Sequence, residues 1–361
     1  MVAAAVEAAV IKMNIYQPRL VMQFHITGRC NLRCKHCYRE EGDVEPLSTE
    51  DVFRVIHQYE ELLMEFKRVN ETPRRGHINI TGGEPFLRKD VKELLRYFGS
   101  HRKLFTYGVL SNGSVINDEL IALLKETGAA FVQLSIDGCR EVHDALRAPG
   151  DYDRTFAMAE RLERSGIPTY ISFTANRDNY RDLHRVAREC RRRRITRLWS
   201  DRLVPIGHGA ELLNIDQSLT MDYLRTLRKA RGSWLTRKLH PHTEVRMNRA
   251  LQFLCGGETY QCGAGKTLVT VDEMGRIMPC RRMPIVCGNV FDDTMKDVYF
   301  GHSVFQQLRT VHPPLECLEC PQRDICRGGA KCQTYAITGS FAGVDPGCPK
   351  ALPWGVFSGC G

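Results

Sequence analysis

The sequence predicts an α/β fold in which a partial (β/α)6 barrel is followed by a small cysteine-rich domain. Short β-rich runs alternate with amphipathic runs between Leu20 and Val204, and this alternation stops after Gly209. Nine of the fifteen cysteines then lie between Cys255 and Cys348. A chain of 361 residues that is 43% hydrophobic is long enough to bury a core in each of two such units.

The six strands and their helices are predicted from the period of the apolar residues. Strands are expected at residues 20–26, 77–80, 104–110, 129–136, 169–173 and 197–204. Helices are expected at residues 50–67, 91–99, 118–127, 154–165 and 181–193. Ser48 and Asn117 are helix-start signals, and Gly128 is a stop signal.

Such alternation predicts a parallel sheet with helices outside it, and six strands are too few to close an eight-stranded barrel. Polar and glycine-rich segments follow the strands at residues 27–37, 81–85, 111–114 and 137–138. These segments should meet at the carboxyl edge of the sheet, where parallel α/β folds place their chemistry.

The chain is predicted to divide into four parts. These are an N-terminal arm (1–18), the partial barrel (19–209), a bridging helical segment (210–250) and the cysteine-rich domain (251–361). Met13 is an alternative start to Met1. Segments of low periodicity with many Gly and Pro indicate that the last part is held together by metal rather than by a large apolar core.

Composition narrows the class of partner. The net charge of +9 concentrates in helix-like stretches at residues 191–194 and 225–238, without the aromatic stacking motifs of nucleic-acid modules. We therefore expect a solvated helix face or an acidic peptide partner, and no nucleic acid. We expect no membrane span and a cytoplasmic location, where cysteines bind metal more often than they form disulfides.

The first cysteine cluster, Cys30, Cys34 and Cys37, directly follows a predicted strand. Three thiolates on one loop suit three irons of a cubane and leave the fourth iron open to a cosubstrate. Zinc is the alternative, but three close cysteines without an obvious fourth partner suit a closed tetrahedral zinc site poorly. The spacing C-x3-C-x2-C followed by Tyr38 resembles the signature of the radical S-adenosylmethionine (radical SAM) superfamily, whose fold is a partial TIM-like barrel.

This resemblance implies a cosubstrate site on the following strand ends. Gly82-Gly83-Glu84 is similar to the family's Gly-Gly-Glu motif, in which the glycines permit close backbone approach and the carboxylate accepts from the cosubstrate ammonium group. Ser111, Asn112 and Ser135 resemble its ribose- and carboxylate-side residues. By the same analogy Arg147 binds a carboxylate, although an ordinary surface arginine is an equal alternative. His143 is interpreted as structural.

The second cysteine field resembles the SPASM domain of peptide-modifying radical enzymes. By that resemblance two auxiliary clusters are held by four cysteines each. The first set is Cys255, Cys262, Cys280 and Cys332, and the second is Cys317, Cys320, Cys326 and Cys348. Paired zinc ribbons are the alternative. With the cluster at Cys30, Cys34 and Cys37, the expected cofactors are S-adenosylmethionine and three [4Fe-4S] clusters.

The remaining cysteines, Cys139, Cys190, Cys287 and Cys360, are interpreted as small buried hydrophobes or spare thiols. Cys287 could also be an exchangeable ligand or a substrate-facing thiol. Cys360 could be reactive, because it lies near the chain end.

The resemblance implies an enzyme that uses a deoxyadenosyl radical to abstract hydrogen from a ribosomally made peptide. Auxiliary clusters that accept an electron would make the reaction an oxidative crosslink through a thioether, C–C or C–O bond. Tetrapyrrole modification and quinone-type cofactor biosynthesis are alternatives. Sulfatase-maturase-like protein oxidation is another, but those enzymes carry an aspartate after the third cysteine of the first auxiliary set, where this chain has Arg281.

Fewer than twenty residues precede the first predicted strand, too few for a folded recognition domain. We therefore expect peptide recognition by a separate leader-recognition protein or by the basic stretches of this chain. A reducing partner such as flavodoxin or ferredoxin is also implied. An iron–sulfur electron carrier or a zinc-binding interaction module is the non-enzymatic alternative, and neither would need the Gly82-Gly83-Glu84 and Ser111-Asn112 segments.

Overall fold

The computed structural model describes residues 17–39, 47–212 and 214–349. Six strands follow the predicted order and pair in parallel, each with the next. They are β1 (Val21–His25), β2 (Gly76–Thr81), β3 (Phe105–Leu110), β4 (Val132–Ser135), β5 (Thr169–Ala175) and β6 (Arg197–Arg202). The partial barrel is thus confirmed, with strand ends that differ from the prediction by three residues or fewer.

The sheet extends beyond these six strands at both edges. At one edge β7 (Glu244–Arg246) pairs in parallel with β6. At the other edge β8 (Leu268–Val271) pairs in parallel with β1, and the antiparallel strands β9 (Arg276–Met278) and β10 (Gly288–Asn289) follow. The sequence did not predict these strands because they are too short to show a period, and their pairing depends on the barrel beside them.

The helices cover the outside of the sheet. Those of the barrel are α1 (Thr49–Val69), α2 (Val91–Ser100), α3 (Asp118–Glu126), α4 (Arg140–Leu146), α5 (Asp151–Arg164) and α6 (Leu183–Arg192). The predicted start signals are confirmed, since Ser48 forms a capping box with Asp51 and Asn117 accepts from the backbone of Leu120. Gly128 follows the end of α3 with φ +74°.

The barrel core is built where α1 packs on the sheet. Residues Val52, Val55, Ile56 and Tyr59 form its buried stripe, at the spacing of successive helical turns. The Tyr59 hydroxyl donates to the backbone carbonyl of Leu20, 3.0 Å away. A buried phenol therefore ties this helix to the start of β1, and burial raises its pKa above the usual range.

After the barrel the elements become short. The longest helix is α7 (Gln217–Arg231), followed by α8 (Trp234–Leu239), α9 (Met295–Gly301), α10 (Ser303–Thr310), α11 (Arg323–Cys326) and α12 (Lys331–Thr338). A small apolar cluster of Ala264, Met283 and Leu308 forms the separate core near the cysteines. Arg202 on β6 pairs with Asp345 at 2.5 Å, and both side chains are buried, so this ion pair joins the barrel to the last described segment.

No helix in the described ranges combines the length and the apolarity that crossing a bilayer requires.

Candidate active site

The first cysteine loop follows β1 and is fixed by backbone contacts on both sides. Glu84 N donates to the carbonyl of Arg29 at 2.7 Å, and Lys35 N donates to the carbonyl of Leu146 at 2.9 Å. Within the loop, Cys37 N donates to the carbonyl of Cys34 at 3.1 Å. The two outer bonds come from the segment after β2 and from the end of α4, which are far apart in sequence, so the barrel holds this loop through its own backbone contacts.

The two glycines of the Gly-Gly-Glu motif are required by this loop packing. A Cβ atom on Gly82 would lie 2.2 Å from the carbonyl oxygen of Thr27, and one on Gly83 would lie 2.1 Å from that of Arg29. Both distances are far inside van der Waals contact. Gly82 also has φ +136°, which side chains rarely adopt. The predicted close backbone approach is therefore an approach to the cysteine loop itself.

Glu84 is fully buried, and its contacts differ from the single contact predicted for it. Its carboxylate accepts from Ser111 Oγ at 2.8 Å, from the backbone of Asn112 at 2.7 Å and from the backbone of Phe86 at 3.2 Å. Burial raises the pKa of Glu84 to about 7, although these hydrogen bonds lower it. The carboxylate thus fixes the segment after β3, and its binding of the cosubstrate ammonium group stays a prediction.

Arg147 is buried beside the cysteine loop, which removes the surface alternative. Its Nε donates to Asp137 Oδ2 at 2.7 Å, and its Nη1 lies 3.8 Å from Cys34 Sγ. His36 Nε2 lies 3.2 Å from the same carboxylate oxygen. Burial alone would raise the pKa of Asp137, but Arg147 and His36 outweigh it and hold that pKa well below its usual range. Arg147 is therefore already paired, and a cosubstrate carboxylate would have to share it with Asp137.

A cavity of about 470 Å³ opens above the carboxyl ends of the strands. It brings together almost all of the residues predicted for the first cluster and its cosubstrate. Those lining it are Cys30, Cys34, Cys37, Gly82, Gly83, Ser111, Asn112, Ser135 and Arg147. Glu84 lies behind this wall. The opposite wall comes partly from the cysteine-rich region, through Arg281 and Arg282.

The thiols of the first set suit an iron–sulfur cluster in chemistry and placement. Burial raises the pKa of Cys34 to about 11 even though the guanidinium of Arg147 lowers it, and burial also raises the pKa of Cys30. Cys30 and Cys34 therefore hold their protons more tightly than free thiols, and metal ligation at these two residues must release protons. All three face one cavity, and no further cysteine lines it among the described residues.

The first auxiliary set is only partly assembled. Cys262, Cys280 and Cys332 line a second cavity of about 150 Å³, and the thiolates of the first two raise the pKa of Cys332 further after burial has raised it. Cys255 does not join them. It lines a different pocket beside Arg228 and Arg231, and its sulfur takes part in a disulfide. Its role as the fourth ligand stays a prediction that would require this sulfur to be released and moved.

The four cysteines of the second auxiliary set lie in one region of the structure. Burial raises the pKa of Cys326 to about 12, and the thiolates of Cys348, Cys317 and Cys320 add to this shift, so their charges act on Cys326. Joint ligation of one cluster by these four cysteines stays a prediction. Cys320 N donates to the carbonyl of Cys317 at 2.9 Å. Four thiols and no open position fit a cluster that carries electrons rather than one that binds substrate.

Throughout the described ranges, no three His, Cys, Asp or Glu side chains are grouped tightly enough to hold a single metal ion.

The cysteines outside the three sets have ordinary surroundings. Cys190 lies in the barrel core and is fully buried, and Cys287 is buried with its thiol 3.4 Å from the carbonyl of Ile285. Burial raises the pKa of Cys287 to about 11. Cys139 begins α4 and contacts Arg185 at 3.6 Å. Cys360 lies outside the described residues, as do most of the predicted N-terminal arm and the start at Met13.

Comparison with known proteins identifies the family. Residues 24–190 match the radical SAM superfamily, and residues 262–321 match the SPASM iron-sulfur cluster-binding domain. The mycofactocin maturase MftC of Mycobacterium ulcerans is 30% identical over 93% of this chain and 92% of its own length. The chain belongs to the radical SAM superfamily and carries a SPASM domain. As a member of this superfamily it is an enzyme, and S-adenosylmethionine and iron–sulfur clusters are its cofactors.

Relatives and fold neighbours of this radical SAM protein fall into several activities. The AdoMet-dependent heme synthase of Oleidesulfovibrio alaskensis is 27% identical over 92% of this chain and 88% of its own length. Two solved structures share the fold. Streptococcus suis SuiB bound to S-adenosylmethionine has a TM-score of 0.71, with 18% identity over 96% of this chain and 81% of that one. AnSMEcpe with bound AdoMet has a TM-score of 0.69, with 20% identity over 92% and 91%.

Sequence reasoning missed two contributors to the site. His36 lies inside the first cysteine motif and Asp137 begins the polar segment 137–138, yet neither was given a role. Their positions could have indicated a role, because each of these polar residues follows a strand at the carboxyl edge of the sheet. Their joint contact with Arg147 could be found only from coordinates, because it depends on how the loops meet.

Proposed function

We propose that this protein oxidises a ribosomally made peptide and forms a thioether, C–C or C–O crosslink in it. The supporting observation is the shared wall between the two cavities. Leu110, Gln133, Trp199, Arg281 and Arg282 line both the 470 Å³ cavity of the first cysteine loop and the 150 Å³ cavity of Cys262, Cys280 and Cys332. A substrate in the larger cavity therefore lies beside both metal sites.

This arrangement suits the electron balance of bond formation. Joining two substrate atoms with loss of two hydrogens removes two electrons from the peptide. When bound at Cys30, Cys34 and Cys37, the cluster and S-adenosylmethionine supply a deoxyadenosyl radical that takes the first hydrogen atom. The second electron needs an acceptor nearby, and the thiols across the shared wall would hold one. A reducing partner such as flavodoxin or ferredoxin must supply the initiating electron.

The residues of the chain have three tasks in this proposal. Ser111, Asn112 and Ser135 line the cavity with hydroxyl and amide groups that would orient the cosubstrate. Arg147 balances the negative charge of the thiolates while it stays paired with Asp137. The residues at the strand ends form the cavity wall, and with substrate across the opening this wall would shield a reactive radical from water and stray hydrogen donors.

Cavity size favours a peptide side chain over a second large ligand. Pockets of about 300–1,000 Å³ hold one drug-sized ligand, so a cavity of 470 Å³ has room for the cosubstrate and one inserted side chain. The test is anaerobic turnover with short peptides encoded beside the gene. We expect deoxyadenosine and a peptide lighter by two hydrogen atoms, measured by mass spectrometry. Deoxyadenosine formation with no mass change in any such peptide would contradict the proposal.

A tetrapyrrole substrate is the second candidate, because the similarity to heme synthases extends over most of the chain. The same assay includes Fe-coproporphyrin III, whose consumption is followed by absorption and mass spectrometry. Protein oxidation of the sulfatase-maturase kind has less support, since Arg281 stands where those enzymes have an aspartate.

We further propose that an acidic leader segment docks on α7 and α8. Arg191 donates to the carbonyl of Arg231 at 2.9 Å, so the two predicted basic stretches meet. Arg192 and Arg193 are paired with Glu189, whereas Arg225 and Arg228 form no ion pair within the described residues. Trp234, Leu235 and Leu239 add exposed apolar surface, with 56–67% of each residue accessible.

Salt dependence tests this docking surface. Exposed charges are screened beyond about 10 Å at 0.1 M salt, so affinity for an acidic model peptide should fall steeply as salt is raised. Reversing Arg225 and Arg228 to Glu should remove both the affinity and its salt dependence, with reversal of Arg192 as the paired control. Binding by this protein alone that ignores salt and survives reversal would rule out this docking surface.

A further inference from the structure

Six arginines line the cavity, and four of them form an ion pair with a carboxylate. Arg147 pairs with Asp137 and Arg282 with Asp201, each at 2.7 Å. The others are Arg39 with Glu273 at 2.8 Å and Arg202 with Asp345 at 2.5 Å. Buried or half-buried charges are normally paired in this way, because an unpaired charge out of water is costly.

Arg281 differs from these four arginines. Its Nη1 donates to the Tyr38 hydroxyl at 3.0 Å and lies 3.5 Å from Thr81 Oγ1, and its guanidinium stacks over the Tyr38 ring at 4.6 Å. All of these partners are neutral. No carboxylate in the described part of the chain lies within 4 Å of it, and its Nε and Nη2 have no hydrogen-bond partner there.

Arg281 lies in the walls of both cavities, where a substrate could meet these donors. It follows Cys280 directly and lines both cavities, so it lies between the two metal sites. A guanidinium is planar and always charged, and its fork of N–H donors matches the two oxygens of a carboxylate. Tyr38 holds one edge of the guanidinium and leaves another edge for a ligand.

We propose that Arg281 binds a carboxylate of the substrate and thereby selects a peptide that carries one beside its reacting residue. This inference rests on the proposed peptide oxidation and specifies its substrate class. The carboxylate can come from a glutamate or aspartate side chain or from the peptide's carboxyl terminus. Either source places a negative charge against the cavity wall at Arg281.

Two structural roles compete with this proposal. Arg281 could serve only to hold Tyr38 against the cosubstrate site, or only to balance the thiolate of Cys280. The first role predicts that losing Arg281 weakens S-adenosylmethionine binding. The second predicts a change in the iron content or visible absorption of the protein. Neither role produces a preference between charged and neutral peptides.

The experiment measures peptide binding by calorimetry with the reconstituted, S-adenosylmethionine-loaded enzyme, without reductant. Three probes differ in one group: acetyl-Gly-Glu-Gly-amide, acetyl-Gly-Gln-Gly-amide and acetyl-Gly-Gln-Gly with a free carboxyl terminus. We expect at least one carboxylate peptide to bind about tenfold more tightly than the neutral one, as for a charge-assisted hydrogen bond. Which of the two binds identifies the source of the carboxylate.

The variant R281Q should reduce this preference to less than about twofold while S-adenosylmethionine affinity and iron content stay unchanged. R102Q, which removes one exposed positive charge on the barrel surface, is the matched control and should keep the preference. Equal binding of all three peptides by the wild-type enzyme, or a preference that persists in R281Q, would overturn the proposal. So would a loss of S-adenosylmethionine affinity or iron equal to the loss of peptide affinity.

If R281Q does not take up iron, the wild-type enzyme still decides the matter. The arginine reagent phenylglyoxal should label Arg281, and a carboxylate peptide but not the neutral peptide should protect it, as read by peptide mapping. Absence of such protection rejects the proposal. Because no turnover is involved, carboxylate binding can be confirmed even if peptides are not oxidised, so the two proposals fail separately.

Discussion

The barrel's cysteine loop and the C-terminal cysteine region differ in what holds their thiols. The first loop is held by backbone bonds to the segment after β2 and to the end of α4, and it lies beside the Arg147–Asp137 ion pair. The C-terminal thiols lie on short turns and helices around an apolar cluster of three buried residues. We therefore expect the barrel to form its site without metal and the region around the C-terminal thiols to depend on metal for its structure.

The largest expected effect separates the two regions by iron content. Three cubanes give about twelve irons per chain, so replacing Cys30, Cys34 and Cys37 by Ala should remove about a third of the iron and abolish deoxyadenosine formation. The remaining clusters should persist because their ligands belong to the other region. Iron analysis and anaerobic turnover measure this, with C139A as a control that keeps both. Stoichiometric zinc in place of iron would refute the cluster assignment.

The second prediction tests whether the barrel loop is as tightly packed as its contacts indicate. In G83A the new methyl group meets the carbonyl of Arg29 at 2.1 Å, so the loop must move away. Overpacking of this kind costs about 1–3 kcal/mol, and it displaces the first cluster. Turnover should fall at least tenfold. G301A is the matched control, since a Cβ there meets no atom within 4 Å. Equal activity of the two variants would show that the loop yields easily.

The third prediction concerns metal removal. Chelation should release the C-terminal region, and the amides of residues 315–349 should exchange at least about a hundredfold faster, which corresponds to about 2.7 kcal/mol of local stability. The amides of β1 to β3 should remain protected. Hydrogen exchange with mass spectrometry measures both regions in one sample. Uniform loss of protection would mean that the barrel also depends on its metal.

The smallest effect is a pH dependence that originates in the barrel. The pKa of Glu84 is raised to about 7, so the folded state binds its proton more tightly than the unfolded state. The resulting stability is present below the unfolded pKa of about 4.3 and is lost as the pH rises through 7. The melting temperature of the wild type relative to E84Q should therefore fall by a few degrees between pH 5 and pH 8. A constant difference would contradict the assigned shift.

Glu84 also carries the cosubstrate prediction made from the sequence. E84A should keep all clusters but need more S-adenosylmethionine for half-maximal deoxyadenosine formation, because it loses the fixed position of Ser111 and Asn112. An unchanged concentration dependence would remove Glu84 from the site.

The sequence predicted the barrel better than the C-terminal region. The six barrel strands are long enough to show their period, and the motif residues fall at their ends, so both could be placed. The strands β7 to β10 have two to four residues each and become strands only beside β6 and β1. The contact of Arg147 with Asp137 could not be predicted from the sequence. Arg281 was noted only because it stands where sulfatase maturases have an aspartate. Pairing of side chains across loops is a tertiary property.

The pairing of β8 with β1 also sets the order in which the chain can fold. Val21 lies opposite Leu268, so one edge of the first strand stays unpaired until the C-terminal third has been synthesised. An unpaired strand edge is a template for aggregation, and long-range parallel pairing forms slowly. The nascent chain therefore needs protection of this edge during translation, and truncation before β8 would expose it permanently.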